Sequence, residues 1–372
     1  LISYWEQAEL LHADITIVGG GITGLSIAAS LLERDATRQV RVIERSSFPY
    51  GASTRNAGFA CFGSPTEFTS DIALMGVDAA RELVFNRWLG IQITRKRLKD
   101  ADIGFVASGG FELVDGQSIS GDQLNELNGH VSDFLPNYFT NATDQKPALG
   151  LEAAGDLIAI NGEGQVNSGK LIRSLRQYVS GLGAELINGA EVLALHPEKG
   201  VQRIALNDPV RGRIDLSSAK VVVANNAFAS QLIPALNVKP GRGQVLLTAS
   251  IPDLRFKGNL HIEEGFYYLR DVGDRIMFGG GRNLDQKGEE TTEQGLTDTI
   301  QSALESYLVK LFGRSFPIEQ RWSGTMGFTG NKQPMIERAE DGIWVVAGLS
   351  GMGIALAGFL GEELADSLSA CE

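Results

Sequence analysis

Residues 15–33 read ITIVGGGITGLSIAASLLE, an apolar run broken by three consecutive glycines. No other stretch limits the fold as tightly. A membrane-crossing helix needs about 20 apolar residues in succession. Here Asp14 and Glu33 bracket the run, and Gly19, Gly20 and Gly21 would weaken a helix at its middle. The run also lacks the basic start and cleavage site of a secretory signal. The sequence opens on Leu1 rather than Met, so upstream residues are expected to have been trimmed. A strand–turn–helix reading accommodates every residue. Residues 15–18 are all β-branched and read as a short buried strand. Gly19, Gly21 and Gly24 then fit G-x-G-x-x-G, and Leu25, Ala28, Ala29 and Leu32 share one helix face. QVRVIER follows as a second buried strand and carries Glu44, the acid such a unit needs about 20 residues further on.

The residue types have a physical logic. Gly19 allows the tight turn, Gly21 lets backbone N–H groups approach a pyrophosphate, and Gly24 lets the helix lie close to the sheet. Ile22 and Thr23 open the helix, whose N-terminus offers partial positive charge to phosphate. Glu44 accepts hydrogen bonds from ribose hydroxyls and repels a 2′-phosphate. The unit therefore predicts dinucleotide binding, and the alternative of a bare helix-packing turn leaves Glu44 a coincidence.

Composition narrows the class. At 372 residues the chain exceeds one comfortable core, so two domains are expected. Its net charge of −12 argues against nucleic acid or an anionic membrane as partner. The two cysteines, Cys61 and Cys371, are too few for a disulfide framework, and a reducing, cytoplasmic setting is expected. His12, His130, His196 and His261 show no metal-ligand spacing and read as structural or exposed. An organic cofactor is expected, and no metal.

The segment after Glu44 and Arg45 separates flavin from nicotinamide. Residues 46–64, SSFPYGASTRNAGFACFGS, are long, polar and glycine-rich for a strand–helix connection. The run Gly51-Ala52-Ser53-Thr54-Arg55-Asn56-Ala57-Gly58 resembles a loop of the D-amino-acid oxidase superfamily, FAD-dependent oxidoreductases that include glycine, sarcosine and γ-glutamylputrescine oxidases. The resemblance implies that this loop passes the FAD pyrophosphate and reaches the isoalloxazine ring, with Arg55 and Asn56 as donors. It implies that backbone near Val192 borders the adenine. A strand returns through KVVVANNAF to Asn225, with Asn226 where the family often has glycine. Near the C-terminus, residues 344–347 read as a strand. The turn Gly348–Gly353, with Ser350, Gly351, Met352 and the following Ile354, is implied to face the flavin pyrimidine. A nicotinamide-only dehydrogenase would share the first unit but not these loops.

The matches run in family order along the chain. They imply an α/β fold with a discontinuous Rossmann-like FAD-binding domain (1–90, 151–235 and 331–372) and a second, mainly antiparallel-sheet substrate or cap domain (91–150 and 236–330). Residues 263–283 read as a β-hairpin carrying Tyr267, Tyr268 and Arg270, with Arg282 emerging beside the flavin. Relatives set one tyrosine of this strand against substrate; alternation puts Tyr267 and Tyr268 on opposite faces and does not say which. Where glycine and D-amino-acid oxidases carry a carboxylate-binding arginine, this chain has Met326. Either Arg55, Arg270 or Arg282 takes that role, or the substrate is an amine without a carboxylate. The family's oxygen-activating lysine falls near Met277, which leaves oxidase and dehydrogenase open, with O2 or another electron acceptor. The cysteine of covalent flavin attachment has no counterpart, so FAD is expected to be noncovalent, with Cys61 the only residue placed for an adduct. The implied activity is oxidation of a C–N bond in a small amine or amino acid, by hydride transfer to flavin N5 followed by imine hydrolysis. A non-catalytic flavin-binding protein and a tRNA-modifying flavoprotein of the same superfamily are the alternatives.

Overall fold

The computed structural model describes residues 1–115, 118–198 and 200–370, so Cys371 lies outside the described residues. Two eight-stranded sheets organise the chain. The first runs Met335–Glu340, Ile343–Ala347, Gly212–Val223, His12–Val18, Val40–Glu44, Glu185–Asn188. Its four central pairings are parallel, with Val18 beside both Val223 and Ile43. Val201–Asp208 and Glu191–Glu198 branch from it as an antiparallel ribbon. A parallel sheet buried on both faces needs near-continuous apolar strands. Val221, Val222, Val223, Val345 and Val346 supply them, each fully shielded from solvent.

The helices over one face approach unusually closely. Ile22–Arg34 and Val77–Arg97 both pack on Gly353–Ser369. A Cβ on Gly361 would lie 2.7 Å from the Ser26 carbonyl oxygen, and one on Gly90 would run into the Ala355 carbonyl oxygen. Glycine is therefore a packing requirement at these crossings.

The second sheet runs Ile318–Phe328, Lys239–Thr248, Arg275–Gly280, Tyr267–Val272, Asn259–Ile262, Gly110–Val114, Asp156–Ile160, Phe139–Asn141. All its pairings are antiparallel except Asn259–Ile262 with Gly110–Val114. Helix Asp298–Phe312 covers one face through Ile300, Leu304, Leu308 and Leu311. The other face turns toward the first sheet and the site.

Two segment assignments differ from the sequence expectation. Asp156–Ile160, expected with the FAD-binding part, is a strand of the second sheet, where Ile158 pairs Glu112. Helix Val77–Arg97 crosses the expected boundary at 90 without a break and packs against Gly353–Ser369 through Gly90. Among the described residues no helix is long and apolar enough to cross a membrane.

Candidate active site

A cavity of about 970 Å³ is lined from both sheets. One end is the glycine turn. Gly19 adopts φ 118°, and a Cβ there would lie 2.8 Å from the Ala224 carbonyl oxygen, so only glycine fits. Gly21 is equally bare: its Cβ would meet the Ser53 hydroxyl at 2.7 Å, and that hydroxyl accepts from Ile22 N–H at 3.0 Å. Gly24 lies behind the cavity, pressed on Gly19 and Ile17, which is helix–strand packing. Glu44 is buried. Its Oε2 accepts from Gly20 N–H and its Oε1 from Ser46 N–H, both at 3.1 Å. Burial raises its pKa against those two hydrogen bonds. Val192 and Arg45 line the same end, with the Arg45 guanidinium 4.0 Å over the Phe228 ring.

The loop after this unit wraps the middle of the cavity. Gly51, Ala52, Ser53, Arg55, Asn56 and Ala57 line it, while Thr54 turns away to bond the Pro49 carbonyl at 3.0 Å. Asn56 shapes the loop itself: its amide donates to the Ala52 and Ser53 carbonyls, and its Oδ1 accepts from Gly58 N–H at 2.8 Å. Both side-chain donors expected to reach a cofactor thus have protein partners, Asn56 inside the loop and Arg55 on the second sheet. Arg55 donates to the Ser323 carbonyl at 3.0 Å and stacks on Tyr50.

Opposite lies the C-terminal turn. Ser350 and Gly351 hold positive φ, and Ser350, Gly351, Met352, Gly353 and Ile354 line the cavity. Gly348 does not; its N–H is held by Asn226 Oδ1 at 2.9 Å. Asn226 adopts φ 50°, the left-handed conformation that asparagine tolerates in place of glycine. Met352 caps helix Gly353–Ser369 without a side-chain hydrogen bond, leaving first-turn N–H groups for an anion or ring acceptor. Asn225 Oδ1 lines the cavity buried and unpartnered. A bare glycine cradle, an uncapped helix end and an orphaned acceptor fit a bound dinucleotide.

At the far end the wall comes from the second sheet. Tyr268 lines the cavity and Tyr267 does not. Tyr267 faces the other way, 4% exposed, its ring 4.8 Å from Tyr307 on the covering helix. Bare glycines make room for the wall: a Cβ on Gly243 would lie 2.8 Å from Met326 Cε and 3.5 Å from Tyr268 Oη. Burial pushes the Tyr268 hydroxyl up to about 12, so it stays protonated and keeps a donor to offer. Arg270 is also absent from the lining. Its Nη1 donates to the Ala57, Gly58 and Val166 carbonyls at 2.9–3.1 Å, and burial lowers its pKa to about 10. It fastens the cofactor-side loop from behind. Arg282 does line the cavity.

Several lining residues gave no signal in the sequence. His261, read there as structural or exposed, is buried yet borders the cavity, its Nε2 3.0 Å from Glu163 Oε2. Its ring packs edge-on against Phe59, which packs on Tyr268. Helices Pro65–Met75 and Val77–Arg97 bring in Glu67 and Arg87, paired at 3.0 Å, and Asp71 bonds Lys332 at 2.7 Å. Each pair joins residues too far apart in sequence for local spacing to show. Cys61 also lines the cavity, but burial and the nearby Glu163 and Glu67 push its thiol well up. A protonated thiol is a poor nucleophile, which disfavours a Cys61 adduct.

The parallel sheet, glycine cradle and deep cavity between the two sheets define a protein built to hold a nucleotide cofactor. Residues 14–367 match the family described as DAO, FAD dependent oxidoreductase. The chain belongs to that family. It is 26% identical over 383 residues to the γ-glutamylputrescine oxidoreductase of Escherichia coli (strain K12), spanning 97% of this chain and 84% of the relative. It is 24% identical to the glycine oxidase of Geobacillus kaustophilus (strain HTA426), spanning 95% and 92%. Among solved structures, L-proline dehydrogenase from P. horikoshii superposes with a TM-score of 0.78 at 19% identity, covering 97% of this chain and 94% of that one. The cofactor is FAD, as in the family.

Proposed function

We propose that the protein oxidises a C–N bond of a small amine or amino acid, giving an imine that water hydrolyses. One observation carries the reading: a single cavity runs from the glycine cradle to the Phe59–His261–Tyr268 wall, so cofactor and substrate would share one continuous space. Gly19, Gly21, Ile22 and Thr23 would hold the diphosphate, Glu44 the ribose, and Val192 the adenine edge. Ala52 to Ala57 and Ser350 to Ile354 would hold the ring system. When bound, FAD supplies the two-electron acceptor for the hydrogen on the carbon next to nitrogen. The protein's part is orientation and exclusion of water. Tyr268 donates from its protonated hydroxyl, and Met326 and Phe59 exclude solvent from the amine. Oxygen or another acceptor completes turnover.

The purified protein is expected to be yellow. An anaerobic panel of primary amines, N-methyl amino acids and D-amino acids should contain members that bleach the flavin absorbance. FAD-loaded protein that no member of the panel reduces would overturn the assignment in favour of a non-catalytic flavin-binding role.

A further inference from the structure

We propose that Arg282 anchors a substrate carboxylate, which makes the preferred substrate an amino acid rather than a simple amine. This rests on the C–N oxidation reading above. Five other lysine and arginine side chains line the cavity; four have a hydrogen bond or ion pair, and the fifth, Arg45, lies beside Glu44 at the opposite, cofactor end. Arg87 pairs Glu67 and Lys332 pairs Asp71. Lys239 lies 3.4 Å from Glu290, and Arg55 and Arg45 are held by Ser323 with Tyr50 and by Phe228. Among the described residues Arg282 makes no hydrogen bond and no ion pair. Its guanidinium stacks 4.2 Å over the Phe328 ring, which fixes the plane and leaves its N–H edge unengaged. The neighbouring acids are committed elsewhere. Glu289 takes a two-pronged contact from Arg242, both bonds 2.8 Å, and a further bond from Gln244, while Glu290 takes Lys239.

The sheet explains the placement. Gly280 ends its strand opposite Gln244, and Gly281 turns left-handed at φ 75° to release Arg282. Strand Lys239–Thr248 pairs Gly241 with Met326, and the Phe328 ring lies over bare Gly241. Arg282 therefore stands over Phe328, on the same wall as Met326, with the Lys239–Glu290 pair nearby. A half-buried cation with no directly bonded carboxylate is costly, and a planar fork held by an aromatic face is preorganised for bidentate carboxylate. Burial lowers its pKa against the opposing charges of Glu289 and Glu290.

The test uses FAD-loaded protein, titrated calorimetrically with propionate and, as uncharged control, propionamide. Propionate is expected to bind at least ten-fold more weakly to Arg282→Met, with FAD content and propionamide binding unchanged; Arg282→Lys should fall between. Equal propionate binding by wild type and Arg282→Met would overturn the anchor, as would wild type that prefers propionamide. The two readings fail separately. If carboxylate-free amines bleach the flavin as fast as their amino-acid counterparts, the anchor falls and C–N oxidation stands. If no amine bleaches it while propionate binding depends on Arg282, the anchor stands and the oxidation reading falls.

Discussion

His261 shows how far a single residue's meaning depends on the fold. Along the chain it is a lone histidine in an apolar stretch. In space its Nε2 meets Glu163, which the β-topology delivers from a distant loop. Burial pulls the imidazole pKa down, but the charge and hydrogen bond of Glu163, helped by Glu112 and Glu67, overcome it and leave it above the ordinary 6.5. Arg87, Cys61, Tyr138 and the cross-strand Tyr268 are further charged and titratable groups on that side. The sign follows: the imidazolium's contribution to stability is complete below about pH 6.5 and is lost as pH rises through the folded-state midpoint. Histidine-selective NMR, with the resonance assigned by its loss in His261→Asn, should show a midpoint above 6.5; one at or below it would show that desolvation wins. The tyrosine pair gives a second test. Alternation revealed that Tyr267 and Tyr268 face opposite ways, but only the covering helix Asp298–Phe312 decides which face is core. Tyr268→Phe removes a donor worth about 0.5–1.5 kcal/mol and should slow flavin reduction by roughly two- to ten-fold. Tyr267→Phe should leave that rate unchanged, and equal slowing by both would contradict the placement.

Elements were legible where period and punctuation agree. The first strand, the glycine turn, the helix Ile22–Arg34 and the strand Val40–Glu44 form one local unit whose residues all specify the same conformation. The same holds for Ile343–Ala347 and the turn after it. Asp156–Ile160 was misplaced because DLIAI suits either sheet equally, and only its pairing with Gly110–Val114 settles the matter. Helix Val77–Arg97 was missed as a unit because its apolar face is interrupted by arginines, one of which, Arg87, is an internal ion-pair partner. Its contact with Gly353–Ser369 rests on two glycines. A Cβ on Gly358 would run into the Gly90 carbonyl oxygen and lie 3.0 Å from Thr94 Oγ1. Overpacking of this kind costs about 1–3 kcal/mol. Gly358→Ala should therefore lower the urea midpoint of the FAD-loaded protein, and should also weaken FAD binding, because the displaced helix begins at the cavity. Loss of stability with unchanged FAD affinity would separate the crossing from the site.

At the scale of the molecule, the cofactor space belongs to neither sheet alone. Gly19, Glu44 and Gly353 come from the first sheet and its helices, while Gly243, Tyr268 and Met326 come from the second. The two sheets line a large, partly polar space between them, and Asn225 Oδ1 on its wall has no protein partner. A ligand filling that space binds the folded state and not the unfolded chain, so it stabilises by mass action, about 2.7 kcal/mol at a hundred-fold excess over Kd. Chains of about 150–250 residues respond with 2–4 °C per kcal/mol, and a longer chain responds less. Saturating FAD is expected to raise the Tm by at least about 3 °C. The gain should depend on residues of both sheets: Gly21→Val, which drives a side chain into Ser53, and Gly243→Val, which drives one into Met326, should each remove most of it. If only the first substitution did so, the second sheet would be a neighbour of the cofactor site rather than one of its walls.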